Sequence, residues 1–126
     1  MDKKYKKICT EVGYIEAKRN AIYLDTFEQK GNTINLFGEI ASRWCEKKIS
    51  DYKWYKYHLT FMGVKKYDAI NIEDYYKKNI KTESTFSEVI NVPYEETKCK
   101  TLIIETYDWA YIVVCENFEF AIIDYR

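Results

Sequence analysis

A chain of 126 residues with 47% hydrophobic and 32% charged side chains has the balance of one globular domain that buries a core without disulfide or metal staples. Its 20 basic and 20 acidic side chains cancel, so no global field draws it to nucleic acid or to a lipid surface. Four cysteines with no CxxC pair, and one histidine far from them, argue against a structural zinc site, which needs closely spaced ligand pairs.

The first twenty residues, MDKKYKKICTEVGYIEAKRN, start basic but hold no apolar run long enough for a signal peptide or a spanning helix. A cytoplasmic chain with reduced thiols is therefore expected. Lys, Ile, Asn and Tyr abound while Gly and Pro are scarce; AT-rich codons specify the first group, which points to a bacterial or phage genome.

From Glu11 onward, alternation with period two dominates the chain, the pattern of half-buried strands. Segments 11–17 (EVGYIEA) and 21–28 (AIYLDTFE) read as two strands joined by a turn at Lys18-Arg19-Asn20. Gly31 and Asn32 tolerate the left-handed backbone that hairpins need, so the chain should reverse there into NTINLFGEIA, with Ile34, Leu36 and Ile40 on one face. Gly38 inside that strand marks a bulge or a close backbone approach. The longest candidate is YKWYKYHLTFMGV, residues 52–64. Its alternation puts Tyr55, Tyr57, Leu59 and Phe61 toward the core, and Trp54, Lys56, His58, Thr60 and Met62 toward a partly wet face. KKYDAINI is a further short strand.

Two short helices are expected next. Asn71 can cap IEDYYKKN, with Glu73 and Asp74 in the first turn and Lys77 and Lys78 at the end, an order that suits the helix dipole. Thr85 and Glu88 have capping-box spacing for FSEVIN, with Phe86, Val89 and Ile90 as the buried stripe and Pro93 as the stop. YEETKCK reads as a polar loop. TLIIETY and AYIVVCE then flank a turn at Asp108-Trp109, and FEFAIID follows Asn117. The unbroken apolarity of residues 111–114 predicts a central strand buried on both faces.

About eight short strands with one or two short helices make the chain mainly β, an antiparallel sandwich or partly closed barrel. The alternative is an α+β arrangement with helices on one face of an antiparallel sheet. No repeat or linker divides residues 1–126, which read as a single β-rich domain.

The chemistry is less specified. No glycine-rich phosphate loop occurs. His58 could act as a general base if Glu39 or Glu105 reached it, but no motif supplies a nucleophile. Cys115 lies in an apolar strand and should be inert, whereas Cys45, between Trp44 and Glu46, is the cysteine expected at the surface. Asp108 reads as a turn residue whose side chain bonds the local backbone. The sequence nominates no catalytic set, metal or cofactor. DYKWYKYH interleaves aromatic and basic residues as single-strand nucleic-acid binders do, yet Asp51, Asp68, Glu73 and Asp74 lie near it. Thirteen tyrosines and three tryptophans are the residue types that dominate binding hot spots. The leading expectation is a non-enzymatic domain that binds a protein partner, of the kind that neutralises a toxin or defence protein, with no membrane role. Trp54, Lys56 and His58 are its expected contact residues, with Trp109 as a second anchor. A small-molecule or carbohydrate site walled by aromatics is the first alternative, and a single-strand nucleic-acid binder the second.

Overall fold

The computed structural model describes residues 4–90 and 99–126. Its strands are β1 (Tyr5–Lys7), β2 (Ile22–Lys30), β3 (Thr33–Ala41), β4 (Trp54–Met62), β5 (Lys66–Asn71), β6 (Phe86–Val89), β7 (Lys100–Glu105), β8 (Trp109–Cys115) and β9 (Asn117–Tyr125). They form a four-stranded sheet in the order β2-β3-β4-β9 and a five-stranded sheet in the order β1-β6-β7-β8-β5. Every pairing of these strands is antiparallel. The fold is mainly β, a sandwich without a closed barrel.

The alternation in β4 sets the inner layer. Tyr55, Tyr57, Leu59 and Phe61 are fully buried, as are Leu36 and Ile40 of β3. They share one core with Phe86, Leu102, Ile104, Val113 and Cys115 of the opposite sheet. Each such large apolar side chain stabilises the fold by roughly 1.5–3 kcal/mol on burial. Ring contacts tie the layers together: Phe27 stacks on Tyr111 at 5.6 Å between centroids, and Phe86 meets Phe118 edge-on at 5.3 Å.

Strand β8 lies between β7 and β5, and its outer face is covered as well. Helix α1 (Ile72–Lys77) buries Ile72 and Tyr75 in a second apolar cluster with Val89, Ile103 and Ala110. Asn71 caps this helix, its Oδ1 accepting from the Glu73 amide at 3.0 Å. The five-stranded sheet is thus covered on both faces over β7 and β8. Side chains on the outer face of the four-stranded sheet, Trp54, Lys56, His58, Thr60 and Met62 among them, are half-buried.

Two glycines behave as their positions require. Gly31, at φ +58°, turns β2 into β3. Gly38 pairs with Leu24 beside a bulge in β2; a Cβ there would stand 1.9 Å from the Tyr23 carbonyl oxygen.

Several expectations need correction. Residues 86–89 form strand β6, paired with β1 and β7, and not a helix. The Thr85 hydroxyl donates to the Glu16 carbonyl and leaves no capping box. Phe86 and Val89, three apart, point to opposite faces and enter different apolar clusters. Residues 11–17 make no hairpin with β2. Thr10 and Gly13 close a tight turn, and single bridges join Ile15 to Cys45 and Glu16 to Ser84, so this segment links the turn after β3 to the residues that lead into β6. Cys45 is buried, 8% exposed, because the 3-10 turn Ser42–Trp44 tucks it against Ile15. The exposed thiol is Cys9. The expected stop at Pro93 and most of the YEETKCK loop lie outside the described residues.

Candidate functional site

Pairing with β3 and β9 decides the surroundings of each expected contact residue. Lys56 lies opposite Glu39 on one side and Asp124 on the other, and Thr60 lies opposite Glu119. Opposed residues share a face of the sheet. Glu39 also accepts a salt bridge from Arg126, 3.0 Å from Nη2 to Oε2. The open face therefore lacks the local basic surplus that phosphate backbones demand.

His58 stacks on Phe37, its direct cross-strand neighbour, at 4.2 Å between centroids. Its Nε2 lies 2.8 Å from Asn35 Oδ1 and 3.0 Å from Thr60 Oγ1. The Thr60 hydroxyl in turn donates to Asn35 Oδ1 at 2.9 Å. A neutral amide and a hydroxyl thus occupy the place where a carboxylate would create a general base. Neither proposed carboxylate is there. Glu39 belongs to the Lys56 row. Glu105 is buried on the other sheet, 7% exposed, where its Oε2 accepts from Tyr75 and Thr82 hydroxyls at 2.6 Å each. Burial pushes its carboxyl above the usual range, and the two hydrogen bonds only partly offset that. The same desolvation lifts the buried thiols of Cys45 and Cys115 to about 11, which keeps both protonated and unreactive at neutral pH. Among the described residues, no three His, Cys, Asp or Glu side chains gather to hold a metal.

Trp54 opens β4 at one end of the sandwich. It meets Tyr23 edge-on at 5.5 Å, and Tyr23 stacks on Tyr107 of the other sheet's β7–β8 turn at 5.1 Å. The Arg19 guanidinium lies 4.8 Å over the Tyr107 ring. Trp109 is exposed two residues further on, at 42%, but pairs with Asn71 in the five-stranded sheet. The structure therefore gathers Trp54, Lys56 and His58 on one face and leaves Trp109 off it. In that turn it is the Thr106 hydroxyl, not Asp108, that bonds the backbone, donating to the Trp109 carbonyl and accepting from its amide.

Two clefts flank Trp54 and share it and Tyr23 as walls. The smaller, about 290 Å³, adds Asp25, Glu39 and Arg126. The larger, about 600 Å³, is walled by Tyr52 and the loop before β4, and carries Arg43, Lys48 and Lys53 against one acid, Asp51. That loop is tied from below. The fully buried Tyr55 places its hydroxyl to accept from the Ile49 and Ser50 amides at 3.1 and 3.3 Å and to donate to the Ser50 carbonyl at 3.0 Å. The Ser42 amide donates to the Lys53 carbonyl at 2.9 Å, closing the base. Tyr52, 56% exposed, stacks on Tyr125 at 5.7 Å. Sequence alternation could not find this cleft, because Arg43 and Trp54 become neighbours only through the pairing of Ala41 with Trp54.

The fold and this end define a β-sandwich with one open sheet face and an aromatic, cleft-bearing end. No protein-family model matches the chain, and no curated protein or solved structure matches it either. None of the described helices is long and apolar enough to cross a membrane.

Proposed function

We propose that the chain is a non-enzymatic domain that binds a protein partner through the open face of the four-stranded sheet, centred on Trp54. The observation that carries this reading is the aromatic surface of that face: Trp54 is half-exposed at its end, and His58 stacks on Phe37 further along it. Tyr52 and Tyr125, stacked yet exposed, lie at the same end of the sandwich, with Tyr125 paired to the inward Tyr55. Exposed aromatic side chains of this kind are what hot spots are made from. Lys56 and His58 supply polar contacts beside it. The amide and hydroxyl around His58 support binding over hydrolysis, and the row of Glu39, Lys56 and Asp124 favours a protein over a phosphate backbone.

The role we assign is that of a bacterial or phage immunity or inhibitor protein acting in the cytoplasm, a setting supported by the free thiols of Cys9, Cys45 and Cys115 and by the codon bias of the composition. The test is comparative capture from the encoding cell. Wild-type bait and a Lys77→Ala/Lys78→Ala control, altered on α1, should enrich the same protein, and Trp54→Ala/His58→Ala bait should lose it while keeping its β circular dichroism. Equal recovery by the folded double variant contradicts the assignment. A second reading, a small-molecule site, is favoured by the larger cleft alone.

A further inference from the structure

We propose that the 600 Å³ cleft beside Trp54 binds a small anion carrying an aromatic ring, of the size of a nucleoside monophosphate. The volume lies within the range of sites that enclose such ligands, roughly 300–1,000 Å³. Its chemistry is two-sided. Tyr52 and Trp54 offer ring faces for stacking, and Arg43, Lys48 and Lys53 offer cations. In a chain of zero net charge, three cations against the single acid Asp51 is a local excess. None of the three forms a salt bridge with a carboxylate among the described residues, and the Arg43 guanidinium lies 5.0 Å from the Trp44 ring.

The wall is also built in advance. The loop bearing Lys48 and Tyr52 is held by the buried Tyr55 hydroxyl through the Ile49 and Ser50 amides and the Ser50 carbonyl, so little ordering entropy is spent when a ligand enters. The anion is met by side chains, an arginine fork and two lysines, which explains why no glycine-rich phosphate loop accompanies it. A ring-bearing phosphate and a ring-bearing carboxylate share this chemistry, and the assay separates them.

This proposal does not depend on the protein-binding reading. The full chain is titrated calorimetrically with adenosine monophosphate, an indole carboxylate, adenosine, inorganic phosphate and oligoadenylates of increasing length. At least one ring-bearing anion is expected to bind saturably with a Kd below about 1 mM, and the better of the two names the source. Adenosine and phosphate alone should each bind at least about tenfold more weakly. Arg43→Glu and Lys53→Glu should each weaken the anion about tenfold, Arg43→Gln less, and Lys77→Glu on α1 not at all. Circular dichroism of each variant confirms the fold. Four results overturn the proposal: no saturation by either anion at about 10 mM, adenosine binding as tightly as its phosphate, charge reversal without effect, or affinity that climbs with oligonucleotide length. Loss of anion binding on Arg43→Glu with partner capture retained separates this site from the open face.

Discussion

Tyr55→Phe tests how the cleft is held. The substitution removes only the hydroxyl and keeps the ring, so the apolar packing around the fully buried side chain is kept. What disappears is one donated and two accepted hydrogen bonds, to the Ser50 carbonyl and from the Ile49 and Ser50 amides. A typical intramolecular hydrogen bond is worth about 0.5–1.5 kcal/mol net, and a buried group left unpaired costs about 1–3. The two amides and the carbonyl sit at a part-exposed loop and can turn to water, so the expected loss is about 2 kcal/mol, near the sum of two modest bonds. For a domain of this size that lowers Tm by roughly 6–10 °C. Tyr57→Phe is the internal comparison. Its hydroxyl makes a single bond, to the Tyr23 carbonyl at 3.1 Å, so about 1 kcal/mol is expected. Urea unfolding gives both values, and native-state hydrogen exchange at Ile49 and Ser50 gives the local effect. Tyr55→Phe should raise exchange at those two amides well beyond its global effect. If it costs no more than Tyr57→Phe and leaves both amides protected, the loop is fixed by something else and the pre-built wall is refuted.

Other consequences are as direct. Because the folded Glu105 carboxyl titrates above its ordinary 4.5, the protonated form suits the native state. The stability it gives is complete below that ordinary value and declines as pH rises through the raised one. Glu105→Gln should therefore flatten the fall in stability above pH 4.5 expected of the wild type; an identical slope in both proteins contradicts the burial argument. Gly38→Ala forces a Cβ to within 1.9 Å of a backbone carbonyl and should cost about 3 kcal/mol or more. A midpoint in urea within experimental error of wild type would mean the β2 bulge is not fixed. Trp44 Nε1 is buried with no partner among the described residues, so Trp44→Phe gives up ring area but no hydrogen bond and should cost less than about 2 kcal/mol. A loss above about 4 kcal/mol shows the indole N–H is satisfied.

Alternation made much of the fold readable. In β4 the inward residues Tyr55, Tyr57, Leu59 and Phe61 are fully buried, because a period of two leaves a long strand only one way to hide its aromatic side chains. β8 was readable for the complementary reason: apolar residues on both faces require cover on both sides. Local signals misled where a tertiary partner outweighed them. Thr85 and Glu88 carry helix-capping spacing, yet a four-residue stretch between two strand edges gains more from pairing than from one turn of helix. Residues 11–17 alternate like a strand, but Ile15 and Glu16 bond to the 3-10 turn after β3 and to the residues just before β6 rather than to a neighbouring strand. Glu105 was open to pairing with His58, and nothing local shows that Tyr75 and Thr82, 30 and 23 residues away, close over it instead. The candidate surface divides the same way. Trp54, Lys56 and His58 follow from one strand's pattern, while the cleft joins Arg43, Lys48 and Tyr52 to Tyr23 by cross-strand register, which no single segment encodes.

Calorimetric titration of the captured partner with single variants probes the binding face most directly. Trp54→Ala should weaken Kd about thirtyfold, the loss of a hot-spot anchor near 2 kcal/mol, and Lys77→Ala should stay within about twofold. Trp54→Ala within about twofold of wild type, in a folded protein, would place the contact surface elsewhere on the sandwich.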